Sequence, residues 1–384
     1  MKIRFAFPLA VFLMLLTVAL CTGSQLFLLL SVLIVLVFLF ALLGVVWASA
    51  TLKTDSDLGE NTVRRGENLM LSLRMRHRGL LPVAPLLLEL SDPSGKTDRE
   101  IRLKNLPRRT QSLRLPVRAS HVGVFSVGLR SVTVEDLLGL VQRRVEPENT
   151  VFRLTVLPQT FSVDPLVLAP GDPGSEMMAR ATEDLSAPSD TRSYQPGDAM
   201  KKIHWKLSLR KGELMVRKFD EPILQDVLIL MDCSRPPSWG HPQAEMDLRD
   251  ALLETSASVL AAQAATDHQV RLPLPGKNPV DVDKRMGLPM ALDYLARVDF
   301  SGADRFERVL TLESRRLRKV GCVVVVSARL NIPMVDIMIR MHRVGPNIRL
   351  YLVTFAPEDE NVLPLVSRLK QAGIEVSYVI PDAG

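Results

Sequence analysis

Two places in the chain carry residue types whose spacing could do chemistry. The first is Met231-Asp232-Cys233-Ser234, at the end of an apolar run that begins near Asp226. An aspartate and a serine two apart at a strand end can offer oxygen ligands to a hard divalent cation such as Mg²⁺. The other reading has Asp232 hydrogen-bonded to loop backbone or paired with an arginine, Arg235 or Arg329, and the charge of those two residues would repel a cation. The second place is the run from Arg192 to Glu221. It sets eight basic side chains (Arg192, Lys201, Lys202, Lys206, Arg210, Lys211, Arg217 and Lys218) around Tyr194, Trp205, Phe219 and the turn Pro196-Gly197-Asp198. One reading makes this a positive surface for phosphate, an acidic partner or an anionic lipid headgroup, the lipid being met by Lys201, Lys202, Lys206 and Lys211. The other makes the three aromatics packed anchors, since such residues are mostly buried. Arg210 and Arg217 would then pair with Asp198, Glu213 or Glu221, and Asp198 would cap a helix over 199–206.

The elements that must position these residues follow from periodicity. From Gln225 onward, apolar runs alternate with helical patterns. Strands are predicted at Asp226–Met231, His268–Leu272, Gly321–Ser327, Ile348–Thr354 and Glu375–Ile380, and helices at Ala244–Ala264, Gly287–Arg297, Arg305–Lys319, Pro333–Arg343 and Glu360–Ala372. Continuous runs such as Val323-Val324-Val325-Val326 mark strands covered on both faces, hence a mostly parallel, doubly wound α/β domain over 225–384. Ligands of such sheets sit beyond the carboxyl ends of the strands, which is where Asp232 falls. Residues 51–160 instead show short alternating strands broken by turns such as Asp92-Pro93-Ser94-Gly95, the pattern of an all-β immunoglobulin-like sandwich. Residues 161–224 form a proline-bearing connector that ends in the basic run.

Residues 1–50 are different in kind. Phe5–Thr22 and Leu26–Ala50 contain no charged residue, and each approaches the length of a membrane-crossing helix. A cleaved signal peptide competes for the first of these, but the second run follows at once and is longer, which favours a hairpin of two N-terminal transmembrane helices. Lys2 and Arg4 on one flank, with Lys53, Arg64 and Arg65 on the other, place both ends on the cytoplasmic side. The expected location is therefore the inner or cytoplasmic membrane, two-pass, with cytoplasmic soluble domains. The net charge of +6 suits an anionic surface. No recognised nucleic-acid-binding motif is present, so nucleic acid is not expected as a partner. The three cysteines form no C-x-x-C pair or zinc spacing. Phosphate-loop, dinucleotide, nucleophile-elbow and H-E-x-x-H motifs are missing, and neither His204 nor Cys233 has an evident orienting partner, so no enzyme is expected.

The run Tyr194, Pro196, Gly197, Asp198, Ile203, Trp205, Ser208, Arg210, Gly212, Leu214, Val216, Arg217 and Phe219 resembles the signature of the family known as domain of unknown function number 58. Members carry Y-x-P-G-D-x-x-x-x-I-x-W-x-x-S-x-R-x-G-x-L-x-V-R-x-F ahead of a von Willebrand factor A-like domain. The likeness continues upstream through Ser120–Val134, Asp136-Leu137-Leu138-Gly139-Leu140 and Val156-Leu157-Pro158, with Leu137 and Leu138 in place of the usual Pro-Phe. A complete metal-ion-dependent adhesion site in such domains has D-x-S-x-S on one loop, a threonine on a second and an aspartate on a third. The corresponding loops here are Asp232-Cys233-Ser234-Arg235-Pro236, Ser301-Gly302-Ala303-Asp304 and Ser327-Ala328-Arg329, so Pro236, Ala303 and Ala328 depart from that pattern.

The resemblance implies a bacterial, membrane-anchored, non-enzymatic adaptor with a degenerate adhesion-site loop set at Asp232, Ser234, Ser301, Asp304 and Ser327. It also implies, as partners, a MoxR-type AAA+ ATPase and a membrane transglutaminase-like protein. The alternatives are a Mg²⁺-dependent protein-binding module held by Asp232, Ser234 and Asp304, and a module that senses anionic lipid.

Overall fold

The computed structural model describes residues 2–3, 6–77, 85–93, 99–103, 110–136, 138–163, 190–195, 200, 203–218, 226–237, 241–264, 270–274, 280–282, 287–300, 305–317 and 320–382. The chain divides into two compact units, Met1–Leu157 and Pro158–Gly384.

The first unit opens with β1 (Lys2–Ile3), α1 (Ala6–Thr22) and α2 (Gln25–Thr51). The helices meet at Gly23, whose φ of 65° closes α1 with a left-handed turn. Of the two, only α2, at 27 residues, is both long and apolar enough to cross a membrane. At a rise of about 1.5 Å per residue α1 falls short of a bilayer's apolar thickness of roughly 30 Å. The expectation of two spanning helices is thus met in its coarser form, one spanning-length helix beside a 17-residue apolar neighbour. The C-terminal turns of α2 bury Val45 and Ala48 in the core of this unit, while Phe7, Leu29, Phe40 and Trp47 stay exposed.

Ten strands of this unit form two sheets, among the described residues. The larger joins β1, β3 (Thr62–Arg64), β5 (Leu86–Ser91), β6 (Arg99–Leu103), β8 (Gly123–Glu135), β9 (Val141–Val145) and β10 (Val151–Leu157), in the path β1-β9-β8-β10-β3 with β5 also on β8. The smaller is β2 (Leu52–Asp57), β4 (Asn68–His77) and β7 (Gln111–Arg118), in the order β2-β4-β7. Alternation decides what each strand buries. Leu69, Leu71, Leu73 and Met75 of β4 and Leu86, Leu88 and Leu90 of β5 enter one shared hydrophobic cluster, whereas Met70 and Arg74 between them face away. The long strand β8 changes partners halfway. Its first half pairs with β10 and its last residues with β9, and the change is made at Gly128, whose φ is 143°.

The second unit begins with a two-stranded antiparallel ribbon, β11 (Asp190–Ser193) with β12 (Met215–Lys218), bridged by α3 (Trp205–Lys211). The six-stranded sheet follows in the order β15-β14-β13-β16-β17-β18. Its strands are β13 (Asp226–Met231), β14 (Val270–Leu272), β15 (Val280–Val282), β16 (Val320–Ser327), β17 (Asn347–Val353) and β18 (Glu375–Val379). All pair in parallel except β15, a short antiparallel edge strand that periodicity missed. Helices α4 (Pro242–Ala264), α5 (Leu288–Ala296), α6 (Phe306–Ser314), α7 (Ile332–Val344) and α8 (Leu363–Gln371) complete the unit. Leu228 and Leu230 of β13, with Val323 and Val325 of β16, pack with α6, α7 and α8, while the intervening Val227, Ile229, Val324 and Val326 are buried on the opposite face. Two-sided burial explains why β16 reads as an unbroken apolar run. The chain leaves β13 to one side for β14 and returns to its other side at β16, so the strand order reverses between β13 and β16. Their carboxyl ends therefore flank a crevice.

Candidate functional site

Asp232 leaves the end of β13 with its N–H still donating to the Val326 carbonyl of β16 at 2.8 Å, so the ladder itself fixes its position. The residue is only 2 % exposed. Its Oδ1 accepts the Ser234 N–H at 3.0 Å and the Ser234 hydroxyl. Its Oδ2 lies 2.9 Å from the Ser327 hydroxyl and 3.2 Å from Arg329 Nε. The second nitrogen of the Arg329 fork donates to the Arg235 carbonyl at 3.0 Å and to Ser234 Oγ. Ser327 Oγ in turn accepts the Arg329 N–H at 3.2 Å. One guanidinium thus ties the loop after β16 to the loop after β13.

A carboxylate has about four lone-pair sites. Four donors already occupy those of Asp232, and one of them is a full cation. Arg235, the other arginine considered for Asp232, instead makes a two-pronged pair with Glu245 at 2.9 and 3.0 Å. Its proton is held more tightly than usual by that hydrogen bond and then by the Glu245 charge. A divalent cation at Asp232 and Ser234 would have to displace Arg329 and would meet Pro236 where an oxygen is wanted. Among the described residues, Asp232, Ser234 and Ser327 therefore do not fit a metal-ion-dependent adhesion site while Arg329 is bonded to them. Ser301 and Asp304 lie outside the described residues.

A brace that sequence reasoning missed lies behind the loop. Asn331 caps α7 by accepting the Met334 N–H at 2.9 Å, and its Nδ2 donates to Glu307 of α6 at 2.6 Å. That hydrogen bond, above all, holds the Glu307 carboxyl below its ordinary range, with Arg329 and Arg305 adding to the effect. Asn331 ahead of Ile332-Pro333 was a legible helix start.

Cys233, beside Asp232, is buried, and its thiol is pushed from 9.0 up to about 12 by burial and then by the Asp232 charge. A thiol in that state is a poor nucleophile at neutral pH. Iodoacetamide is expected to leave Cys233 unmodified in the folded protein and to label it after unfolding, read by peptide mass; labelling of the folded chain would contradict this. The sign for stability follows. The unfolded thiol loses its proton first, so this group's contribution is intact below pH 9.0 and declines as pH rises from there toward about 12.

The basic run differs from expectation in where its described helix starts, at Trp205, and at two side chains; the predicted Asp198 cap lies outside the described residues. The helix is α3, capped by His204, whose Nδ1 accepts the Leu207 N–H at 3.2 Å. This gives the histidine a structural task. Trp205 is not a packed anchor but 58 % exposed, and Tyr194 is half-buried. Arg210 is exposed and makes no ion pair with another described residue. What holds α3 is Ser208, which donates to the His204 carbonyl at 3.0 Å and accepts the Met215 N–H at 2.8 Å. Gly212 supports it with a left-handed C-cap at φ 72°. Ile203 and Val216, bridged to each other, are buried. Arg192 lies on exposed β11, and the backbone of Arg217 pairs with Thr191. Pro196, Gly197, Asp198, Lys201 and Lys202 lie outside the described residues.

The architecture is a mixed α/β chain of several sheets, with one N-terminal helix of membrane-spanning length. Residues 190–377 match the family model described as "Protein of unknown function DUF58", a stretch that covers the ribbon, α3 and nearly all of the six-stranded sheet. The chain is also similar to the uncharacterized protein YeaD of Bacillus subtilis, 22% identical over 204 residues. That match covers 50% of this chain and 51% of the relative, so the chain spans about half the length of the curated relative it matches. Among solved structures, the CARDB domain of a Pyrococcus furiosus protein in complex with di-metal ions matches at 16% identity and a TM-score of 0.21, covering 27% of this chain and 91% of that one. A cohesin module from Clostridium perfringens matches at 12% identity and a TM-score of 0.21, covering 28% and 96%.

Proposed function

We propose that the protein is a non-enzymatic, membrane-anchored adaptor. Its von Willebrand factor A-like unit presents the loops after β13 and β16 to a partner protein without a metal ion. The observation that carries this reading is the Arg329 guanidinium bonded to Asp232, Ser234 and the Arg235 carbonyl. A fixed positive charge stands where the domains implied by the family resemblance would use a cation, and the side chain remains 41 % exposed, within reach of a partner's carboxylate. The partner implied by the family resemblance is a MoxR-type AAA+ ATPase, with a membrane transglutaminase-like protein in the same assembly.

The anchor is read as two-pass. Lys2 and Ile3 pair with Gln142 and Val141 of β9, and α2 runs directly into β2. Both ends of the helical hairpin therefore belong to the same sandwich, which is read as immunoglobulin-like. If α2 crosses the bilayer, α1 must bring the chain across as well, with local thinning to match its length. The flanking Lys2, Arg4, Lys53, Arg64 and Arg65 favour the cytoplasmic side of the inner membrane.

The test is a crosslinking pull-down from native membranes with the full-length protein, its Arg329→Lys variant and its Arg235→Ala variant. Lysine keeps the charge but loses the planar fork that reaches both loops. Capture of an AAA+ ATPase by the wild type, reduced at least several-fold in Arg329→Lys, is the expected result. Equal capture by all three proteins would remove the strand-end loops from the contact.

A further inference from the structure

The exposed side of α3 is left unexplained by everything above. Ile203, Ser208, Met215 and Val216 are buried, and Ser208 bonds to Met215. Trp205 and Leu209, one helical turn apart, are nevertheless 58 % and 85 % exposed. Beside them, also one turn apart, stand exposed Lys206 and Arg210. A monomeric fold gains nothing from a tryptophan and a leucine held in water. Their pairing with a column of cations is the composition of a helix face that lies in a lipid headgroup region.

We propose that this face of α3 is a docking site for an anionic bilayer surface, with Trp205 and Leu209 entering the headgroup boundary while Lys206 and Arg210 meet lipid phosphates. Charge favours this occupant over a second protein surface. The helix reads Trp-Lys-Leu-Ser-Leu-Arg-Lys, with three cations and no acid, and Glu213 beyond Gly212 is the nearest opposing charge in sequence. The inference rests on α2 crossing a membrane. That tether confines the second unit near a bilayer, so a contact too weak to recruit a soluble protein is populated by effective concentration alone. It shares the α2 anchor with the proposed function but uses none of the residues of the Asp232 loop, so failure of the lipid contact leaves the loop reading standing.

The experiment places the full-length chain in lipid nanodiscs with Trp47→Phe and Trp239→Phe, leaving Trp205 as the sole remaining tryptophan of the three. Discs of phosphatidylcholine are compared with discs containing phosphatidylglycerol, each with and without brominated acyl chains. The expected result is a blue shift of Trp205 emission and quenching by bromine in the anionic discs. Both should be reversed by high salt and lost in Lys206→Glu/Arg210→Glu, with the milder Lys206→Gln/Arg210→Gln losing part of the effect. Identical emission and quenching in the two lipid compositions would overturn the proposal. So would quenching that survives charge reversal. If Trp205 is unquenched in anionic discs yet becomes shielded when the captured ATPase is added, the occupant is a protein and the lipid assignment falls.

Discussion

Asp232→Ala is expected to destabilise the α/β unit by about 2–4 kcal/mol, the cost of leaving several donors without the buried acceptor they share, since Arg329 itself is part-exposed. The carboxylate is almost fully enclosed and is the common acceptor for Ser234, Ser327 and Arg329. Its removal leaves the Ser327 hydroxyl with the Arg329 carbonyl alone and the guanidinium without its counter-charge. The loops after β13 and β16 lose their shared anchor. Asp232→Asn keeps the shape and one acceptor, so about 1–3 kcal/mol is expected for it, mostly the loss of charge assistance. Denaturant midpoints for the α/β transition of the full-length protein, with the anchor in detergent, measure both. Equal stability of wild type and Asp232→Ala would mean that the pair does not organise the loops.

Gly128→Ala is the second large effect, and it falls on the sandwich. A Cβ at this position would meet the Thr150 carbonyl oxygen at 2.1 Å, and φ of 143° is a backbone state that side chains rarely adopt. The oxygen cannot yield easily, because it accepts the Leu129 N–H at 3.0 Å and the Ser56 hydroxyl at 2.9 Å. The Thr150 hydroxyl also holds the Leu129 carbonyl at 2.7 Å. A clash with fixed backbone added to torsional strain is expected to cost about 3 kcal/mol or more. The measurable outcome is a lowered midpoint for the sandwich transition with the α/β transition unchanged. A neutral substitution would show that β8 does not bend as described.

The legible part of the fold was the part dictated by local pattern. The unbroken valines of β16 and the helical periods between strands placed the α/β elements to within a few residues. The largest boundary error is at α6, where apolar spacing runs on past the regular helix, which ends at Ser314. The short edge strand β15 carries too few residues to show a period. In the basic run, the described helix depends on contacts that residue type alone does not reveal: His204 caps it, and the serine that pins α3 bonds to Met215 across the turn at Gly212. The exposure of Trp205 runs against the ordinary tendency of aromatics, and nothing local in the sequence announces it. At the candidate site, sequence offered Asp232 the loop backbone or one of two arginines, and the backbone of Ser234 and Arg329 both bond to it. Choosing between the arginines required Glu245, ten residues from Arg235, and Ser327, 95 residues from Asp232, both placed by tertiary structure.

The central claim is that Arg329, not a metal ion, completes the Asp232 loop. A thermal unfolding series of the full-length protein in rising Mg²⁺, Mn²⁺ and Ca²⁺, after treatment with a chelator, tests it most directly, because a ligand of the native state must stabilise that state as it saturates. The predicted result is a midpoint that stays flat at all metal concentrations and is unchanged by the chelator. A midpoint that climbs with one of these cations in the wild type, and no longer does so in Ser234→Ala, would contradict the account and return the site to metal-dependent adhesion.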